Sequence, residues 1–356
     1  MTGAPIPESE NEVTPDWLSM VLSYGGQQVS VSRVEHLKIV HGAGTKLRVR
    51  VSYVANPDNL PDYMWIKTGW EEHSPLMETA GVYAREATFY RDLASAVGTR
   101  APACYFTEQD RVGRSVVILE DLLERPARLW ECTVPVSVEE LLSLLETLAE
   151  LHARWWEDEA LMTMTAVERP VDRNRPTAEW PRANGGDRLR EIVAGPRGAL
   201  MPMRIRDAER IERAFWKMVD ALGVARGRCL LHGDPHPGNC FTDKAGAGLY
   251  DWQTIARGPW SYDVGYAIVT ALSIADRRNF ERDLLEHYLD RLAKGGVKTV
   301  PRLEEAWDDY RRGIAYPLLI WPTNHTSHQS EDNIMALTER LGAAADDFNF
   351  FELWNV

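Results

Sequence analysis

An α+β chain of two parts, a smaller and mostly antiparallel β part followed by a larger, mainly helical one, is what the sequence predicts. Three observations lead there. At 356 residues the chain exceeds the size at which one hydrophobic core usually splits, so two lobes of roughly 100–200 residues with a cleft between them are expected. Leu47, Val49, Val51 and Tyr53 alternate with Arg48, Arg50 and Ser52, the period-two pattern of a half-buried strand. Leu141, Leu144, Leu145, Leu148, Leu151 and Trp155 instead recur at helical spacing along one face.

The elements follow in order. Asp16 to Ser23 reads as a short helix and Val29 to Val40 as extended chain ending at the turn His41-Gly42-Ala43-Gly44. After the alternating strand Leu47 to Tyr53, Asn56-Pro57-Asp58-Asn59 supplies turn chemistry that closes a hairpin, and Tyr63 to Lys67 returns. Gly81 to Leu93 carries Val82, Glu86, Phe89 and Leu93 at helical spacing, one helix against a sheet. The strand Ser115 to Leu119 leads into the acidic link Glu120-Asp121, which places the N-terminal lobe at residues 1–122 and the helical lobe at 123–356. Ser137-Val138-Glu139-Glu140 has the spacing of a capping box and marks a helix start. Residues 157–206, interrupted by Pro170, Pro176, Pro181 and Pro196, read as an irregular insertion or lid. Helices resume at Asp207 to Leu222, Ser273 to Ala293 and Arg302 to Leu319.

Composition narrows the function. Hydrophobic residues at 44% and charged residues at 26% are ordinary globular usage. A net charge of −13 with 40 scattered Lys and Arg disfavours a nucleic-acid partner, which needs a concentrated basic face; attraction for a cationic substrate stays open. The four cysteines, Cys104, Cys132, Cys229 and Cys240, form no C-x-x-C pair, and neither a leader pattern nor an apolar stretch of roughly 20 residues is found. A cytoplasmic protein without a membrane segment is therefore expected.

The strongest motif is His232-Gly233-Asp234-Pro235-His236-Pro237-Gly238-Asn239, just after the apolar run Cys229-Leu230-Leu231. Asp234 and Asn239 have the D-x-x-x-x-N spacing of a kinase catalytic loop, in which the carboxylate takes the proton of the attacking hydroxyl and the amide oxygen ligates Mg²⁺. Gly248-Leu249-Tyr250-Asp251 is a short apolar strand ending in a carboxylate, suited to hold Mg²⁺ on the β- and γ-phosphates of ATP. The next residues are Trp252 and Gln253 where protein kinases have Phe and Gly. Asp263, before Val264-Gly265-Tyr266, reads as a structural carboxylate that caps a helix and steadies the loop. His152, beside the leucine stripe, reads as a packed histidine.

These stretches together resemble the aminoglycoside phosphotransferase-like kinase superfamily, in particular its ecdysteroid-kinase-like branch. The resemblance spans the turn at Gly42, Ile66-Lys67, Glu86 with Phe89-Tyr90, Ile118 to Leu122, the H-G-D-x-H-x-G-N loop and Asp251-Trp252-Gln253. It implies a protein-kinase-like two-lobe fold, with Lys67 contacting the α- and β-phosphates and Glu86 paired with Lys67. It further implies the glycines of the turn, Gly42 and Gly44, over the phosphates, and main-chain contacts to adenine near Glu120 and Leu122. Leu47 stands where a third glycine would complete G-x-G-x-x-G, so a plain hairpin turn competes with that role.

Three other readings remain. A protein kinase needs a long peptide-binding segment, yet only eleven residues separate Asp251 from Asp263, which favours a small hydroxylated substrate. His232, Asp234 and His236, with His325 and His328, would be ligands in a zinc hydrolase. A catalytically inactive nucleotide-binding relative is opposed by the presence of Lys67, Glu86, Asp234, Asn239 and Asp251. For the substrate, the tryptophans of the second lobe and Trp321-Pro322-Thr323-Asn324-His325 favour an apolar, ring-containing alcohol. The acidic run Asp346-Asp347 keeps an aminoglycoside or other cation as the alternative.

Overall fold

Alternation along the first hundred residues becomes a sheet in the computed structural model, which describes residues 5–97 and 100–356. Strands β1 (Ser30–Val40), β2 (Thr45–Ala55), β3 (Tyr63–Thr68), β4 (Cys104–Gln109) and β5 (Ser115–Glu120) pair antiparallel in the order β1-β2-β3-β5-β4. Leu47, Val49 and Val51 of β2 are buried with Met64, Ile66, Val116 and Ile118 against Trp17, Leu18 and Val21 of the helix Pro15–Leu22. Each such side chain contributes about 1.5–3 kcal/mol by leaving water. The β2–β3 turn is closed by Asn56, whose side chain donates to the Leu60 carbonyl (2.7 Å) and accepts from its N–H (2.8 Å). Strand β4 has no clean alternation to announce it, and only Phe106 of its residues is buried.

The opposite side of β5 also buries Val117 and Leu119, which requires a cover, and the helix Val82–Thr88 packs there. The expected helix from Gly81 to Leu93 is interrupted: after Thr88 the chain takes a π-helical turn over Phe89–Leu93, a widening that lets Glu86, Phe89, Tyr90 and Leu93 all be buried. Such turns are frequent at functional sites.

Contacts group the chain into two units. The first, just described, runs to Ala96, resumes over Ala101–Ala127 and includes Asp251–Gln253. The second comprises Val97–Arg100, Arg128–Tyr250 and Thr254–Val356.

In the second unit the capping box forms as its spacing predicts. Ser137 Oγ accepts from the Glu140 N–H (3.2 Å), the Glu140 carboxylate accepts from the Ser137 N–H (3.1 Å), and the helix runs over Val138–Arg154. Its leucine stripe packs on the helix Ile274–Lys294. The helices Ala208–Ala221, Ser261–Ala271 and Glu331–Asp347 complete most of the core. The helix expected from Arg302 to Leu319 is two, Leu303–Arg312 and Ala315–Thr323. They break at Gly313, where a Cβ would collide with the Ser261 carbonyl. Residues 157–206 hold the short helices Glu159–Thr163, Glu179–Asn184 and Gly186–Ala194. Five short strands, β6 (Arg128–Leu129), β7 (Arg228–Leu231), β8 (Cys240–Asp243), β9 (Gly246–Leu249) and β10 (Ala256–Pro259), form a β10–β7 pair and a β6–β8–β9 sheet. Among the described residues no helix is long and apolar enough to cross a membrane.

Candidate functional site

The buried strand β7 delivers the loop 232–239 into a bed of fixed partners. Gly233 has φ +86°, and a Cβ there would strike the Thr254 carbonyl, so the turn requires glycine on both counts. The fully buried Asp263 accepts the two N–H groups that open the loop, from His232 (2.7 Å) and Gly233 (3.0 Å). Asp263 therefore steadies the loop as its sequence context suggests, although it caps no helix. His152, also fully buried, lies 3.3 Å from Asp263 and 2.7 Å from the Tyr288 hydroxyl, the packed position expected of it. His232 donates from Nε2 to the Tyr250 carbonyl (3.1 Å) and accepts the Asp234 N–H at Nδ1 (3.3 Å). Its partners set the tautomer, because a carbonyl can only accept.

Asp234 is held from three sides. Tyr266 donates its hydroxyl to Oδ1 (2.7 Å), and His236 Nε2 (3.4 Å) and Asn239 Nδ2 (3.2 Å) face Oδ2. Asn239 Nδ2 also donates to the Asp234 carbonyl (2.9 Å), so the amide oxygen is the atom of that side chain suited to a cation. Tyr266 is itself fixed by the Trp321 indole N–H, and Trp321 presents its ring edge-on to His236 with centroids 4.9 Å apart. Burial alone would raise the Asp234 carboxyl, but the His236 charge and the hydrogen bonds from His236 and Tyr266 outweigh it and hold the pKa below the ordinary carboxylate value. Burial likewise works against the imidazolium; Asp234 outweighs it, and His236 is raised to about 10. A quarter of the Asp234 side chain stays exposed, an edge open to a hydroxyl.

In the first unit, Lys67, Glu86 and Asp251 form a chain of charge. Lys67 Nζ lies 2.5 Å from Glu86 Oε2 and 2.7 Å from Asp251 Oδ1. Burial disfavours the ammonium, yet Asp251 and Glu86 offset it and raise its pKa. Glu86 is pushed up by burial more than Lys67 pulls it down, and its Oε1 is buried with no hydrogen-bond partner. Asp251, mostly buried, sits at φ +65°, a left-handed conformation costing a non-glycine residue about 1–3 kcal/mol and concentrated at functional sites. Trp252 holds it there by stacking on Phe89 at 3.8 Å and 5°. Asp251 is kept well below the usual carboxylate range, the Lys46 and Lys67 ammoniums outweighing its burial.

The turn His41–Gly44 is tied down rather than loose. Tyr83 donates its hydroxyl to the Ala43 carbonyl (2.6 Å), and His73 Nε2 lies 3.0 Å from the Gly42 carbonyl. Gly44 is required for packing, since a Cβ would press on the Tyr83 ring at 2.9 Å, whereas Gly42 has room for a side chain. At the acidic link, Asp121 caps the 3₁₀ turn Leu122–Glu124 and binds Arg48 (2.6 Å) and the Trp65 indole (3.0 Å). Glu120 pairs with Arg125 (3.1 Å), and Leu122 is buried. Tyr83, Tyr266 and Lys46 have no individual signature in the sequence; Lys46 lies on β2 just after the turn, and only the sheet register aims it. Among the described residues no three His, Cys, Asp or Glu side chains gather to hold a metal, so the cluster of a zinc hydrolase does not form.

This architecture, an antiparallel sheet unit and a helical unit, is a protein-kinase-like fold. Two solved structures share it, and a third is similar to the chain. A candidate aminoglycoside phosphotransferase of Ralstonia eutropha is 14% identical with a TM-score of 0.53, covering 95% of this chain and 98% of its own. A GDP complex of a variant aminoglycoside 2′-phosphotransferase-IIIa is 14% identical with a TM-score of 0.50, covering 94% and 98%. Choline kinase LicA from Streptococcus pneumoniae is 14% identical with a TM-score of 0.45, covering 88% and 94%. No curated protein matches the sequence. Residues 67–307 match the phosphotransferase enzyme family, APH, which is more than half of the chain. The protein belongs to that family and is a small-molecule kinase.

Proposed function

We propose that the protein transfers the γ-phosphoryl group of ATP to a hydroxyl of a small molecule, with Asp234 accepting the hydroxyl proton and Asn239 and Asp251 ligating Mg²⁺. The observation that carries this is the buried Lys67 ammonium bridged to Glu86 and Asp251, a fixed positive charge of the kind that binds phosphates. Gly42 and Gly44 belong to the turn assigned to the phosphates, and the main chain near Glu120 and Leu122 to adenine. Oxygen donors such as an Asn amide and an Asp carboxylate suit a hard cation, and the unpartnered Glu86 Oε1 leaves room for a further polar contact. Mg²⁺, when bound, neutralises charge on the β- and γ-phosphate oxygens.

The chain's own groups do the rest. Tyr266, His236 and Asn239 orient Asp234, and its open edge receives the substrate hydroxyl. A carboxylate of lowered pKa is a weak base. That suffices here, because a loose phosphoryl-transfer transition state asks for alignment more than for basicity. The Lys67 charge stabilises the phosphate oxygens.

For the substrate we favour an apolar, ring-containing alcohol, as the resemblance to the ecdysteroid-kinase-like branch suggests. The acidic run that argued for a cation is spent internally: Asp346 pairs with Arg204, and Asp347 with Arg277 and Arg278. Calorimetry should show ATP binding in millimolar Mg²⁺, and absence of both ATP and GTP binding would overturn the proposal. ADP release with steroid-like, terpenoid and aromatic alcohols beside aminoglycosides and choline decides the substrate class. Turnover of the cations alone would reverse our choice.

A further inference from the structure

Lys46 has no role in the function proposed above, yet it shares that site's central carboxylate. It lies on β2 directly opposite Lys67 on β3 in the antiparallel register, so both ammonium groups leave the same face of the sheet. Like charges in directly opposed positions destabilise a sheet. Here one carboxylate binds both: Lys46 Nζ is 2.9 Å from Asp251 Oδ2, and Lys67 Nζ is 2.7 Å from Oδ1.

The two lysines differ in freedom. Lys67 is 9% exposed and clamped by Glu86, whereas a third of the Lys46 side chain is exposed. A divalent cation on Asp251 must take an oxygen now held by an ammonium, and the one held by Lys46 is the more readily released. A displaced lysine then needs another anion, and its four-carbon stem lets it reach for one. We infer that Lys46 is a second phosphate-binding lysine, which neutralises Asp251 in the absence of metal and passes to the nucleotide's phosphate oxygens once that carboxylate is given over to Mg²⁺. This rests on the reading of the chain as an Mg²⁺- and ATP-dependent phosphotransferase.

The test is calorimetry on the full chain with Mg²⁺–ATP, with ATP in EDTA, and with adenosine. Lys46→Met should bind Mg²⁺–ATP roughly ten-fold more weakly, the loss of one charge-assisted hydrogen bond, with adenosine affinity unchanged. Lys46→Arg, which keeps the charge, should recover most of the loss and so guards against a folding artefact. Asp251→Asn releases Lys46 and should tighten binding of metal-free ATP, and adding Lys46→Met should abolish that gain. Equal Mg²⁺–ATP affinity in Lys46→Met and the native chain overturns the inference alone, as does an equal loss for adenosine. A native chain that binds no adenine nucleotide overturns the proposed function together with it.

Discussion

Raising the pH should weaken this protein through one residue, His236. In the folded chain its pKa is raised to about 10, against about 6.5 in an unfolded chain. Between those values the folded state holds a proton that the unfolded state has released. Stability from this group is therefore full below about pH 6.5, declines by roughly 1.4 kcal/mol per pH unit above it, and is gone above about pH 10. The span bounds the effect at about 5 kcal/mol. A quarter of the Asp234 side chain meets solvent, which screens the pair and makes that figure a ceiling. The assay is urea unfolding at pH 7 and pH 9.5 for the native chain and Asp234→Asn. Without the carboxylate, only the Cys132 thiol, 3.5 Å from His236 Nδ1, is left to oppose burial of the imidazolium, and the fall in stability between the two pH values should shrink. If both proteins lose the same stability, the ion pair does not set the His236 pKa and the reasoning fails.

Asp234→Asn should also cut turnover by about 10²–10⁴-fold while Mg²⁺–ATP affinity in calorimetry stays near native; Asp251→Ala, which removes a proposed Mg²⁺ ligand, should lower both. Asp263→Ala should destabilise the fold by roughly 2–6 kcal/mol in denaturant melts, because two buried N–H groups lose their acceptor. Ser137→Ala should cost about 1 kcal/mol through loss of the cap, with kinetic constants unchanged.

Local rules made much of this legible. The alternation around Leu47, the capping box at Ser137 and the D-x-x-x-x-N loop each depend on neighbours a few residues away, and the sheet, the long helix and the Asp234–Asn239 contact all form. The expected helices at Gly81 and Arg302 are divided, since a π-helical turn and a close approach at Gly313 answer to burial by distant segments.

By itself, then, the sequence determined which residue types are available for phosphoryl transfer and on which local elements they lie. Only the tertiary structure decided that Lys46 and Lys67 share Asp251, that Trp252 stacks on Phe89 to hold Asp251 at positive φ, and that Trp321 braces Tyr266 on Asp234. The reason is physical: most of these contacts join segments far apart in the chain, and their geometry is set by strand register and core packing, which no local spacing records.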